Sequence, residues 1–418
     1  MERAQLREGT LSKPVFRRLV EDVLARIRHG ALEVRHSDGS IERFGDAHAA
    51  PVRLEILSAD FYRECVLFGD IGFGESYTRG DWTTPDLKAL IMLMIRNMDE
   101  LGGMSGSKAK LKGNVLKIVN KSAHLLRANT LAGSKKNIQE HYDLSNAFYQ
   151  LWLDPTMTYS SALWTTPELT LEQAQVAKWR ALAESLELKA SDKLLEIGTG
   201  WGGFACFAAK EYGCQVTTIT ISKEQHRYAT ELFRREGVDH LITLHLEDYR
   251  KITGTFDKIV SIEMMEAIGH RFLPVFFRVV DRHLKPQGLL SFQVITCPDK
   301  RYEEYRKSVD WIQKHIFPGG LLPSVGHLMK VVNDVCDLQL LRFRDFGPHY
   351  ARTLKEWHER FTRAEADVRK LGFSDNFIRK WRYYLQYCEA AFRMRNVSVV
   401  HVTLTRPNNT QLVWDSEV

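Results

Sequence analysis

The run Leu194-Leu195-Glu196-Ile197-Gly198-Thr199-Gly200-Trp201-Gly202-Gly203 constrains this chain more than any other stretch. An apolar strand enters a glycine-rich turn, and Phe204–Tyr212 then reads as a helix. Glycines there let the backbone approach a ligand closely, and a helix N-terminus favours negative groups. The elements that follow keep the alternation. Gln215–Ile221 reads as a strand, Glu224–Glu236 as a helix, and Leu241–Leu246, Phe256–Ile262 and Leu289–Ile295 as strands. Such alternation predicts an α/β fold with a mostly parallel, doubly wound, Rossmann-like sheet.

A glycine pattern alone is weak evidence for any one nucleotide. Here Glu196 sits immediately before the glycine turn, separated from Gly198 only by Ile197. That arrangement resembles motif I of class I S-adenosylmethionine (SAM) methyltransferases more than an NAD fingerprint. The resemblance implies that Glu196 orients the loop near the methionine amino group. Two further pieces agree with it. The second strand ends at Thr220-Ile221-Ser222, followed by Gln225, where such folds meet the ribose. Asp248-Tyr249 follows the third strand, where the adenine lies. The pieces recur in order at Rossmann-like spacing.

Upstream the pattern changes. Lys13–His29 reads as a helix, Leu32-Glu33-Val34-Arg35 alternates as a strand does, and Phe61–Leu67 and Leu87–Leu101 read as helices. Between Gly103 and Gln139 lie eight Lys/Arg and no Asp or Glu. Val115, Leu116, Ile118, Val119, Leu125 and Leu126 in that segment can share one helix face. A basic amphipathic helix suits an anionic membrane surface, and it equally suits a solvated linker. The expected organisation is an N-terminal accessory domain over 1–102, a basic linker over 103–136 and a catalytic domain over 137–418. Past Pro298 the chain reads as helical and aromatic-rich, with Trp311, Trp357, Trp381, Tyr383, Tyr384 and Tyr387.

Four separate stretches narrow the reading. They are Gln139-Glu140-His141-Tyr142-Asp143-Leu144-Ser145-Asn146, Leu153–Ser160, Ser308–Gly320, and Asp345-Phe346-Gly347-Pro348-His349-Tyr350. In that order they resemble the cyclopropane-fatty-acyl-phospholipid synthase family, which includes the mycolic acid cyclopropane synthases. The resemblance covers Lys136 to about Arg406. It implies methyl transfer from SAM to a carbon–carbon double bond of an acyl chain, on a phospholipid bilayer, by a homodimer. Matched by motif position, Tyr142, Tyr159 and Ser160 meet the methionine portion, and Gly198, Gly200 and Gly202 form the glycine loop. Thr220, Ile221 and Gln225 lie on the ribose side, and Asp248 and Tyr249 on the adenine side.

The resemblance also implies a bound bicarbonate that removes a proton after methyl transfer, held by a Cys, a Glu, a His, an Ile backbone and a Tyr. This chain keeps only part of that set. Glu266, Ile295 and Tyr350 match, but Ser161 stands at the Cys position and Gln293 at the His position. Ser and Gln still donate hydrogen bonds but do not titrate near neutrality. Two products therefore stay open, a cyclopropane or a methyl-branched or methylene chain. Glu266 can also stabilise a cation electrostatically, and Tyr350 through its ring.

Other classes find less support. The six cysteines are scattered without a CxxC pair, no signal peptide stands at the start, and no apolar run is long enough to span a membrane. The expected place is cytoplasmic, on the inner face of a membrane. A net charge of +6 suits an anionic partner. No nucleic-acid module or catalytic Asn/Asp-Pro-Pro-aromatic motif is present, so no nucleic-acid partner is expected. Methylation of a soluble small molecule, or a relative that binds SAM or lipid without turnover, remain the alternatives.

Overall fold

A computed structural model describes residues 13–101 and 144–412. The basic segment 103–136 and Tyr142 lie outside the described residues. The N-terminal part runs α1 (Lys13–Leu24), β1 (Ala31–Arg35), β2 (Ile41–Gly45), β3 (Pro51–Ile56), α2 (Asp60–Arg79), β4 (Trp82–Thr83) and α3 (Leu87–Arg96). Its sheet has the order β2-β1-β3-β4, with β1 and β3 parallel and the other pairs antiparallel. Leu32, Val34, Leu54 and Ile56 are buried, as strand alternation requires. Two helices end sooner than the sequence suggests, and Asn97 accounts for both. Its side chain accepts the Arg28 and His29 N–H groups at 2.9 Å, which holds the turn after α1 against the end of α3. By contrast, α2 runs well past Leu67. It breaks only at Gly69 (φ 59, ψ −132), a conformation open to glycine.

The larger part runs α4 (Asn146–Gln150), α5 (Leu171–Ser185), β5 (Lys193–Ile197), α6 (Gly203–Tyr212), β6 (Gln215–Thr220), α7 (Lys223–Arg235), β7 (Ile242–Leu246) and β8 (Phe256–Ile262). It continues with α8 (Leu273–His283), β9 (Leu284–Thr296), α9 (Asp299–Tyr305), α10 (Trp311–His315), α11 (Val325–Val335) and β10 (Gln339–Asp345). The last elements are α12 (Gly347–Arg363), α13 (Glu365–Lys370), α14 (Asp375–Arg393) and β11 (Ser398–Thr405). The sheet order is β10-β11-β9-β8-β5-β6-β7. The five strands from β9 to β7 are parallel, and β11 is antiparallel to both its neighbours. Both faces are covered. Leu194 joins the cluster under α5, α6 and α7, while its neighbour Leu195 joins the cluster under α8 and α11. The mostly parallel, doubly wound sheet expected from the alternation is therefore present.

Strands β10 and β11 interrupt the helical pattern expected past Pro298. The β-branched run Val399-Val400-His401-Val402-Thr403 was the available signal. Between them and β9 the aromatic helices form one large core. Trp152, Trp357 and Trp381 are fully buried in a cluster that also takes in Trp82 and Leu90 of the N-terminal part. Helix α14 packs on α12 and also on α2 and α3. Its Arg379 donates to the Tyr77 and Trp82 carbonyls at 2.7 and 3.0 Å. At Gly74 a side chain would stand 2.5 Å from the Trp311 ring, so α2 meets α10 backbone to ring. The chain leaves β5 toward β6 and β7, then crosses back to β8 and β9. Ligands of such sheets bind in the crevice at that reversal, beyond the strands' carboxyl ends.

Candidate active site

The crevice opens where β5 ends. Gly198 has φ 104 and its N–H and that of Thr199 both donate to the Ile219 carbonyl, which ties the loop to β6. That backbone region costs a side-chain-bearing residue about 1 kcal/mol or more. A Cβ on Gly203 would stand 2.6 Å from the Trp179 ring, so α6 can begin this close to α5 only with glycine there. Gly202 was expected to touch the cofactor. It stands instead behind the wall, where a Cβ would meet the Phe233 ring at 2.8 Å, and it serves the turn rather than the cavity.

Glu196 is buried at the mouth of this loop. The Thr218 hydroxyl donates to its Oε2 at 2.6 Å and pairs with the Thr199 hydroxyl at 2.7 Å. Burial pushes its carboxyl up to about 8. A carboxylate in a dry wall is a receptor for a cation, and the ammonium of SAM is one. Thr220 donates to the Gln225 side chain at 2.9 Å, and both line the crevice with Ile221. Asp248 also lines it, with its carboxylate clamped by Arg250 at 2.6 and 2.7 Å. Tyr249, expected on the adenine side, also lines the crevice beside Asp248. Its ring packs edge-on to Phe276 in the core, and its buried hydroxyl has no hydrogen-bond partner. Ser160 accepts from Lys178 at 2.7 Å, and Tyr159 donates to Tyr384 at 2.8 Å.

The catalytic candidates converge on a residue that the sequence reading passed over. Glu263 follows β8, and its backbone has φ 47, the left-handed region. Its carboxylate receives the Ser161 backbone N–H at 2.8 Å, the Gln293 Nε2–H at 2.6 Å and the Tyr350 hydroxyl at 2.9 Å. Behind Gln293 stands His401, whose Nε2 lies 2.8 Å from Gln293 Oε1. Burial holds His401 down to about 3. The ring is therefore neutral, donates through Nε2–H, and fixes the amide with its NH2 group toward Glu263.

Three expectations change accordingly. Ser161 acts through its backbone, since its hydroxyl donates to the Ala162 carbonyl at 3.1 Å. The Ile295 N–H goes to Glu266 Oε1 at 2.6 Å instead of to a bound anion. Ser161 and Gln293 stand behind Glu263 and do not line the cavity. The bicarbonate implied by the resemblance does not fit this arrangement, because its expected donors are already spent on Glu263 and Glu266.

Glu266 Oε2 is buried without a hydrogen-bond partner. Burial, with the like charge of Glu263, pushes Glu266 up to about 8. Lys178 is pushed down to about 7 by burial, while Glu263 and Asp154 act to raise it. The signal for Glu263 was legible. Two carboxylates three residues apart directly after an apolar strand, Ile262-Glu263-Met264-Met265-Glu266, are unusual in a buried place.

Glu196, Thr220, Gln225, Asp248, Glu263, Glu266 and Tyr350 face one cavity of about 1010 Å³. It runs from Gly198, Thr220 and Asp248, past Glu263 and Glu266, to an apolar end walled by Phe317, Tyr384 and Phe392. Phe73, Ile91 and Met94 of the N-terminal part also line it. The sequence profile described as mycolic acid cyclopropane synthetase matches residues 130–402.

The chain belongs to that family. It is 35% identical over 396 residues to tuberculostearic acid methyltransferase UfaA1 of Mycobacterium tuberculosis, covering 90% of this chain and 88% of that one. It is also 35% identical over 359 residues to cyclopropane-fatty-acyl-phospholipid synthase of Escherichia coli, covering 86% and 89%. The solved mycolic acid cyclopropane synthase CmaA1, complexed with SAH and CTAB, superposes with a TM-score of 0.61 at 30% identity. That match covers 65% of this chain and 98% of CmaA1. The family member described here is a SAM-dependent methyltransferase of the lipid-modifying type.

Proposed function

We propose that this enzyme methylates a double bond of an unsaturated acyl chain esterified in a membrane phospholipid. The observation that carries the reading is one continuous cavity, which joins the glycine loop of β5 to an apolar, aromatic end. A nucleoside end and a hydrocarbon end in one continuous space suit a reaction between SAM and a lipid tail. The relatives named for tuberculostearic acid and for fatty-acyl phospholipid support the same substrate class.

SAM supplies an electrophilic methyl group on a sulfonium. The protein's own residues do the rest. Glu196 would hold the ammonium, and Thr220 and Gln225 the ribose side. An alkene is a weak nucleophile, so water must be kept out while it attacks, and the apolar walls do that. The cation left on the chain meets the carboxylate of Glu263, with Glu266 beside it, in a low-dielectric space, where charge counts for more than in water. The rings of Tyr350 and Phe392, 4.5 Å apart, add an electron-rich face.

No helix among the described residues is long and apolar enough to cross a membrane. A bilayer substrate therefore calls for surface attachment, and the basic segment 103–136 suits it by charge. A homodimer on the inner membrane face completes the proposal. The test uses methyl-labelled SAM and vesicles of anionic phospholipid. Label should enter lipid with oleoyl chains and stay out of lipid with stearoyl chains. Equal labelling of both, or label only in the headgroup, would refute the reading.

A further inference from the structure

We propose that Glu263 is the resident base of this site and stands in place of the bound bicarbonate implied by the family resemblance, so that the enzyme needs no such anion. The inference rests on the proposed methylation of an acyl double bond and adds the step that completes it.

Four observations carry it. Glu263 lines the cavity, so its carboxylate can reach a substrate there. Its two oxygens already accept the donors of Ser161, Gln293 and Tyr350, the matched positions that would otherwise hold the anion. The second carboxylate, Glu266, has taken the Ile295 N–H. Finally, Glu263 keeps a side chain at φ 47, a conformation that favours glycine. A residue held in strained backbone beside a site, with every donor around it satisfied, has the mark of a functional constraint. The hydrogen-bonded line His401–Gln293–Glu263 keeps the carboxylate in one place.

The step balances without another reagent. The alkene's π pair forms the new C–C bond as the sulfonium–methyl bond breaks, and the positive charge passes to the neighbouring chain carbon. Glu263 then takes a proton. If it comes from the new methyl, the C–H pair closes a cyclopropane. If it comes from a chain carbon, the pair forms a double bond. Glu263 is left as a neutral acid and gives the proton to water as product leaves. Burial raises its pKa, which suits a group that must accept a proton from carbon and later release it.

The decisive experiment compares wild type, Glu263→Gln and Glu263→Gly in buffers stripped of carbon dioxide, with and without added bicarbonate. Wild type should turn over oleoyl lipid equally in both buffers, and bicarbonate should not shift its melting temperature. Glu263→Gln should lose roughly 100-fold or more in turnover, the usual range for a lost general base, with SAM affinity unchanged. Glu263→Gly relieves the backbone and empties the carboxylate's place. It should be equally slow without bicarbonate, at least ten times faster with it, and stabilised by it on heating. Wild type that stops in stripped buffer and recovers with bicarbonate would overturn the inference alone. So would a Glu263→Gln enzyme at full rate, or a Glu263→Gly enzyme indifferent to bicarbonate in both rate and melting. Wild type that methylates no lipid in either buffer would overturn the functional reading and the inference with it.

Discussion

Glu196→Gln is expected to weaken SAM binding by roughly 10- to 100-fold, the worth of a hydrogen bond between charged groups in a dry site. It should also remove most of the pH dependence of that binding. The sign follows from burial. The Glu196 carboxyl is raised to about 8, so the folded apo protein holds a proton there that the unfolded chain releases near pH 4. Its burial therefore costs stability progressively as pH rises through that window, and the apo protein should melt lower at pH 8 than at pH 6. An ammonium placed beside Glu196 lowers its pKa and expels the proton. SAM affinity should then rise with pH up to about 8, by at most about tenfold per unit. Calorimetry in buffers of different ionisation enthalpy reads both the affinity and the released proton. A wild-type affinity flat in pH, or a Glu196→Gln protein that binds normally, would remove Glu196 from the cofactor site.

Trp381→Ala should destabilise the protein by about 3–5 kcal/mol, the range for deleting a large buried aromatic side chain. Trp381 is 1% exposed and lies at the centre of the aromatic core. Its ring centroid is 4.9 Å from Phe148, 5.4 Å from Tyr384 and 5.5 Å from Trp152. It sits on α14, which binds α12 on one side and α2 and α3 on the other. Loss of its volume should loosen the apolar end of the cavity as well as the fold. Urea denaturation followed by circular dichroism measures the change. A loss below about 1 kcal/mol would mean that the aromatic core refills the space and does not brace the two parts of the chain.

The central fold was legible because its signal is local. Strands β5 to β8 are short apolar runs bounded by turn residues, and the glycine loop fixes where the crevice opens. The N-terminal helix ends were not legible, since Asn97 sets them through contacts about seventy residues away. Strand β11 was missed because the surrounding aromatic helices dominated the reading, although its β-branched run was in view. The cofactor-side residues mostly line one cavity, as motif order suggested. The base region was legible only in part. Motif matching located Glu266, Tyr350, Gln293 and Ser161, but not what they surround. Glu263 falls at a position that the resemblance assigns to no role; the paired carboxylates after β8 marked it in the sequence, but its partners did not show until β9, α12 and the loop before α5 bring Gln293, Tyr350 and Ser161 onto its carboxylate.

The most direct measurement is mass spectrometry with proton NMR on phospholipids from cells making this protein, against an empty-vector control. The account predicts a gain of one CH2 per modified unsaturated chain, with either upfield cyclopropane protons or a surviving olefinic signal beside a new methyl or methylene. Acyl chains identical to the control, in cells where the protein is folded and binds SAM, would contradict it.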